Sequence, residues 1–302
     1  MPSSPRSVLA LFGPTASGKT AVAEAIADRI PAEVVSADSM QVYAGLPILT
    51  AQPQRRTRLV ALWPLSHEAS VAEYARLAHL AIDEILAAGR TPIVAGGTGL
   101  YLRAALTDLR MPPPPAPGAR ERLEAYYDAA GAEAAHARLE ELDPEAAAAV
   151  HANDRRRVVR ALELAELGES LVPEEGRLWA DETRHPTLIF GLEVAPAVLA
   201  ERIERRARAM FAAGAEDEVR AALAAGPVSA TARYAYGIEE IASLPRGEAL
   251  DALILRTRRY AAYQRKWMRR IPGLVAVDAG RPADEVAAEI VSITRDRGIL
   301  AA

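Results

Sequence analysis

Apolar positions along this chain follow two periods. Val8–Phe12, Val34-Val35, Pro92–Ala95, Thr187–Leu192 and Leu274–Val277 are short apolar runs, the pattern of strands covered on both faces. Between them, apolar residues recur at helical spacing. Ala21–Ala27 is one such stretch, and Val71, Tyr74, Ala75, Ala78, Ile82 and Ile85 form another that stops at Gly89. Further helices are expected at 197–211, 216–225 and 282–297. Strands alternating with helices predict a parallel α/β sheet. The middle of the chain differs. Four helices, at about 119–130, 132–142, 144–151 and 154–167, follow one another without a strand signal. Pro112–Pro115 and Pro117 precede them as a stiff connector. The expected division is residues 1–111 as the first part of the core, 112–186 as an all-helical insertion and 187–302 as the second part, with a C-terminal basic-aromatic helix.

The first strand runs into Gly13-Pro14-Thr15-Ala16-Ser17-Gly18-Lys19-Thr20, which fits G-x-x-x-x-G-K-[ST] in the strand–loop–helix setting the motif requires. The fold class is therefore P-loop NTPase-like: a parallel sheet flanked by helices, with a small helical insertion. Backbone N–H groups of Gly13, Thr15, Ala16, Ser17 and Gly18 would cradle phosphate at the positive end of the following helix. Lys19 would reach the terminal phosphates, and the Thr20 hydroxyl would face Mg²⁺. Lysine and arginine total 36, yet Lys19 and Lys266 are the only lysines. A chain so rich in arginine keeps a compact ammonium where a planar fork is no substitute. The motif leaves open whether the phosphate is a nucleoside triphosphate or a diphosphate ester.

Composition narrows the class. The 302 residues are half apolar and include no cysteine, so disulfides and thiolate metal sites are excluded, in keeping with a cytoplasmic protein. No apolar run is long enough to span a bilayer. A net charge of −4 argues against a uniformly basic nucleic-acid binder, but the charge is uneven. Arg155, Arg156, Arg157 and Arg160 share one expected helix, behind a possible cap at Asn153-Asp154; Arg202, Arg205 and Arg206 share a face of another. From Arg256 to Arg270 there are seven basic residues and no acidic one, interleaved with Tyr260, Tyr263 and Trp267. Guanidinium groups with aromatic faces suit single-stranded RNA; a half-buried helix with snorkelling arginines has the same composition. Asp38 follows the second strand, on the crevice side of the sheet, where it serves as a catalytic group, a turn cap or a partner of a magnesium-bound water. The third strand ends in Gly96-Gly97-Thr98, where a triphosphatase would carry an aspartate.

The ordered set of motifs resembles the tRNA dimethylallyltransferases, or tRNA isopentenyltransferases, along nearly the whole chain. It comprises Gly13–Thr20, Ser36-Ala37-Asp38-Ser39 with Gln41-Val42-Tyr43, Thr50-Ala51 with Pro53, and Gly96-Gly97-Thr98 with Leu100-Tyr101. Leu142-Asp143-Pro144, His151 with Asn153-Asp154, Arg160-Ala161-Leu162-Glu163, Arg202-Ile203 with Arg206, and Gln264 with Trp267 and Arg269-Arg270 complete it. The resemblance implies transfer of a dimethylallyl group from its diphosphate to N6 of the adenine 3′ of the anticodon in tRNA. The loop then holds a prenyl diphosphate with Mg²⁺, and Arg206 helps neutralise the leaving group. Asp38 accepts the amine proton, and Thr98 lies in the same channel. The tRNA anticodon stem-loop would touch Asp38, Ser39, Met40, Gln41, Thr98, Arg120, Arg156, Arg157, Arg160, Tyr263, Gln264, Lys266, Trp267 and Arg269. The resemblance also implies a monomer without an obligate protein partner. The chain departs from the pattern within Thr231–Glu239, where Tyr234 replaces a Gln or Arg, and at Tyr263, which replaces an arginine. The rival readings are an ATP-dependent small-molecule kinase and an RNA-binding protein with a nucleotide switch.

Overall fold

The computed structural model describes residues 7–109, 112–171, 182–235 and 237–298; Met111, at the expected boundary, and Tyr236, in the atypical loop, lie outside the described residues. Five strands form one sheet: β1 (Val8–Phe12), β2 (Ala32–Ser36), β3 (Thr91–Gly96), β4 (Thr187–Glu193) and β5 (Val275–Asp278). Their order is β2-β3-β1-β4-β5, and every pairing is parallel. All five residues of β1 are buried, because the central strand has no solvent face toward which to alternate. The chain leaves β1 toward β2 on one side and later returns to β4 on the other. The C-terminal end of β1 is therefore the switch point at which open α/β sheets place ligands.

Twelve helices complete the described fold. The larger unit has α1 (Lys19–Ala27), α2 (Val71–Ala87), α3 (Gly99–Leu106), α8 (Pro196–Ala212), α9 (Ala215–Ala224), α10 (Ile238–Ser243), α11 (Arg246–Met268) and α12 (Ala283–Asp296). The helical stretch has α4 (Ala119–Ala130), α5 (Ala132–Leu142), α6 (Pro144–Ala149) and α7 (Arg155–Ala165). α1 and α12 pack together and bury Val22, Ile26, Val286 and Ile290 against Leu9, Leu11, Phe190 and Leu192. Each such side chain contributes about 2 kcal/mol of apolar burial. Ser70 caps α2 by accepting from the Glu73 N–H at 3.1 Å, and Gly89 just beyond its end takes φ 71°. α10 and the first half of α11 were not expected from the sequence. The buried stripe of α11 is Ala249, Leu253, Ile254, Ala261, Gln264 and Met268, too mixed in polarity to stand out.

The chain divides into two compact units, Met1–Asp108 with Asp181–Ala302, and Leu109–Ala180. The larger unit reclaims the chain before the expected boundary at residue 186. Arg184 bonds both Asp83 and Asp108 at 3.1 Å, and His185 Nε2 lies 2.8 Å from Asp83 Oδ1. These contacts tie the returning chain to α2 and to the end of the outgoing segment.

The smaller unit has its own apolar core of Leu123, Tyr127, Leu139, Val158, Val159 and Leu162. Asp154 caps α7, accepting from the Arg157 N–H at 3.2 Å. Beside this core Glu163 is fully buried. Arg120 reaches it through Nε at 2.7 Å and Nη2 at 3.2 Å, and Arg160 through Nη1 at 2.8 Å. Burial alone would raise the Glu163 pKa, but these two guanidinium groups outweigh it and hold the carboxyl below its usual range. Arg120 and Arg160, expected on RNA, are thus engaged inside this unit; Arg160 also donates to the Pro113 carbonyl at 2.7 Å. Arg155 is likewise paired, with Asp128 at 2.7 Å. Arg156 and Arg157 remain exposed on α7.

Candidate active site

Strand β1 ends at Phe12, and the next eight residues form the phosphate loop. Ala16 (φ 64°) and Gly18 (φ 96°) both take left-handed conformations, by which a loop turns successive N–H groups into one concavity. Ala16 has a side chain in that region, so the loop carries local strain that its surroundings must hold. Ser17 Oγ is buried and without a hydrogen-bond partner among the described residues. A polar atom kept dry without a partner is costly unless a ligand completes it.

Lys19 opens α1 and folds back over the loop. Its Nζ donates to the carbonyls of Gly13 and Pro14, both at 2.9 Å. Burial lowers its pKa to about 8, Asp38 opposes that shift, and the Arg206 charge adds to it. Arg206 comes from α8, and its Nη1 donates to Thr15 Oγ1 at 3.1 Å. Burial lowers its pKa too, with Asp38 opposing. Two half-buried cations and one carboxylate therefore share a single field. Thr20 is exposed, and its residue lines the same cleft.

Asp38 stands two residues past the end of β2. Its Oδ1 accepts the Met40 N–H at 2.9 Å, so the turn-capping role holds. Oδ2 takes no hydrogen bond from the described residues. One oxygen fixes the side chain and the other remains for chemistry in the cleft. Thr98, at the N-terminus of α3, spends no side-chain bond on capping. Its Oγ1 lies 3.3 Å from Ser39 Oγ and 3.3 Å from the Tyr260 hydroxyl. The cleft has a volume of about 770 Å³ and is lined by loop residues with Asp38, Gln41, Arg202, Arg205, Arg206, Tyr260 and Gln264.

Helix α11 presents two stripes. On one, Tyr260 touches Thr98, Gln264 braces two loops, and Trp267 packs over Gly99 so closely that an added Cβ would overlap its ring. Gln264 is 2% exposed. Its Oε1 accepts the Thr15 N–H and its Nε2 donates to the Gly97 carbonyl, both at 2.8 Å. Gln264, expected on RNA, thus has both ends of its amide engaged inside the protein. Gln41 is similarly committed, to Ser36 Oγ at 2.9 Å and the Ala51 carbonyl at 3.1 Å. The other stripe, Arg259, Tyr263 and Lys266, faces solvent, with Arg269 exposed one turn on. Sequence reasoning left Tyr260 out of the site; its place one turn before Gln264 on the same helix was the available signal.

Among the described residues no group of three or more histidine or acidic side chains stands ready for a metal. Thr20 and the nearby Asp38 suit an ion held mainly by phosphate oxygens and water, as Mg²⁺ commonly is.

A family model for IPP transferases matches residues 41–271, and one for isopentenyl transferases matches residues 6–58. The chain is 42% identical over 297 residues to a tRNA dimethylallyltransferase of Acidothermus cellulolyticus, covering 93% of this chain and 92% of that one. A tRNA dimethylallyltransferase of Streptomyces griseus is 40% identical over 291 residues, with 92% of each chain covered. Among solved structures, the full-length tRNA isopentenylpyrophosphate transferase of Bacillus halodurans superposes with a TM-score of 0.71 at 32% identity, over 97% of each chain. A phosphate loop and a half-engaged carboxylate in one cleft agree with those matches, and the chain belongs to the IPP transferase family.

Proposed function

We propose that this enzyme transfers a dimethylallyl group from dimethylallyl diphosphate to N6 of the adenine on the 3′ side of the anticodon in tRNA. The observation that carries this reading is one cleft holding a phosphate loop with two half-buried cations beside a carboxylate with one uncommitted oxygen. Diphosphate leaves poorly unless its charge is neutralised, and Lys19, Arg206 and the loop N–H groups are set to do that. The N6 lone pair is delocalised into the ring, so the amine attacks only as its proton is removed. Asp38 Oδ2 receives that proton as the C–O bond to diphosphate breaks and the C–N bond forms. Mg²⁺, when bound through Thr20 and the diphosphate, would add charge neutralisation. Tyr260 lines the cleft with Asp38, and Thr98 Oγ1 lies 3.3 Å from the Tyr260 hydroxyl. Arg156, Arg157, Tyr263, Lys266 and Arg269 are the exposed candidates for RNA contact. The same reading has the enzyme acting as a monomer in the cytoplasm. No helix among the described residues is long and apolar enough to cross a membrane.

The test is label transfer. Unmodified anticodon stem-loop RNA, Mg²⁺ and labelled dimethylallyl diphosphate are incubated with the protein, and label is expected in RNA carrying adenine at the target position but not guanine. Unlabelled RNA, together with phosphate transfer from ATP to a small acceptor, would favour the kinase reading.

Gln264→Leu separates positioning from binding. It keeps much of the volume but strands the Thr15 N–H and the Gly97 carbonyl, a loss of about 1–3 kcal/mol per buried group. The turnover number is expected to fall about tenfold or more while RNA affinity stays near wild type. Gln264→Glu, which keeps an acceptor for Thr15 alone, should lie between the two.

A further inference from the structure

Beside the main cleft lies a second recess of about 380 Å³, bounded by Tyr234 of the 3₁₀ turn Ala232–Tyr234 and by Arg256, Arg259, Tyr260 and Tyr263 of α11. We propose that this recess takes an unstacked nucleobase of the substrate RNA, the one directly next to the target adenine. The inference rests on the prenyl-transfer reading above and concerns how that substrate is held.

Continuity comes first. Tyr260 lines both the recess and the main cleft, and its hydroxyl lies 3.3 Å from Thr98 Oγ1. A base in the recess and an adenine at Asp38 would thus both border Tyr260, a placement open to adjacent nucleotides. The volume lies within the range of about 300–1,000 Å³ in which small-molecule-sized groups are held.

The lining chemistry fits a base and its phosphate. Tyr234 is 50% exposed and Tyr263 54%, a large aromatic area for a protein surface. Tyr263 is steadied by an edge contact to Trp267, with centroids 6.4 Å apart, and Trp267 is itself packed over Gly99. A ring already held costs little further ordering when a base stacks on it. Among the cations the roles divide. Arg256 is tied to Glu240 at 2.7 Å and builds the wall, whereas Arg259 is exposed and in no ion pair among the described residues. Among the described residues no carboxylate lines the recess, so an anionic backbone meets no repulsion from them there. There is also a need for such a site. Extracting the target adenine costs a few kcal/mol of lost stacking and bares the face of its neighbour, which a second stacking surface offsets.

The experiment pairs protein variants with abasic RNA. Stem-loops carry either the normal base or an abasic site at the 5′ or the 3′ neighbour of the target adenine. Affinity is read by fluorescence anisotropy without prenyl diphosphate, and transfer is read separately by label. Wild type is expected to bind one of the two abasic RNAs about tenfold more weakly than the intact one. Tyr234→Ala and Tyr263→Ala should bind intact RNA about tenfold more weakly. They should bind that abasic RNA no worse than wild type does, and Tyr263→Phe should restore discrimination. Equal weakening on intact and abasic RNA, or no discrimination by wild type on either side, would overturn the proposal. Absence of label in every RNA with wild type would instead overturn the transfer reading, and the anisotropy data keep the two failures apart.

Discussion

Replacing Asp38 by asparagine is expected to lower prenyl transfer to RNA by about 10²–10⁴-fold, the range lost with a positioned general base. The substitution is chosen because it isolates the chemistry. An amide oxygen still accepts the Met40 N–H, now 2.9 Å from Asp38 Oδ1, so the turn after β2 keeps its geometry. What goes is the capacity of the second oxygen to take a proton from N6. Removing the carboxylate also withdraws the charge that raises the pKa of Lys19 and Arg206. Single-turnover rates at saturating donor and RNA measure the step directly, with RNA affinity expected to be unchanged. A variant that turned over like wild type would reduce Asp38 to a turn residue.

Lys19→Ala should weaken use of the prenyl diphosphate by about 10²–10³-fold in kcat/KM, as for loss of one preorganised charge contact to a developing anion. Lys19→Arg is expected to rescue little. The ammonium sits between the Gly13 and Pro14 carbonyls at 2.9 Å from each, a space for a point charge rather than a planar fork. The same residue sets a pH dependence. In the free protein burial brings its pKa down to about 8, so the cation is present below that pH and is lost as pH rises through it. A bound diphosphate favours the charged form and raises the pKa, so binding draws in a proton. Donor affinity should be flat at neutral pH and fall above about 8, by at most tenfold per unit. Titrating donor binding from neutral to alkaline pH checks this, and Lys19→Ala should abolish the slope.

Much of the scaffold was legible from local pattern. The apolar runs became β1 to β5, β2 extending by two residues beyond Val34 on one side and one beyond Val35 on the other. The four expected helices of the middle stretch are α4 to α7, with Asp154 capping the last. α10 escaped notice because six residues hold too little periodicity to read. Only the later half of α11 was legible, as a basic and aromatic helix, since the buried side of the whole helix mixes alanines and a glutamine with its apolar residues.

The polar residues divided differently. Arg120 and Arg160 carry charge suited to RNA, yet Glu163, buried between them, holds both. Gln41 and Gln264 lie in motifs that resemble RNA contacts, but their amides complete backbone bonds inside the fold. Arg160 has Glu163 one turn further along α7, but nothing within a few residues of Arg120 or Gln264 announces the partner.

The sequence alone therefore determined the phosphate loop, the strand–helix alternation and the place of Asp38 just past a strand, because backbone conformation and burial period depend on near neighbours. Tertiary structure decided that β1 is central, that Arg206 and Asp38 share the field of Lys19, and that Tyr234 and Tyr263 meet in one recess. It also decided that Gln264 spends its hydrogen bonds on Thr15 and Gly97, 249 and 167 positions away. A polar side chain has only so many donors and acceptors, and whether they face RNA or the protein interior is settled by whichever distant backbone the fold brings within 3 Å of them.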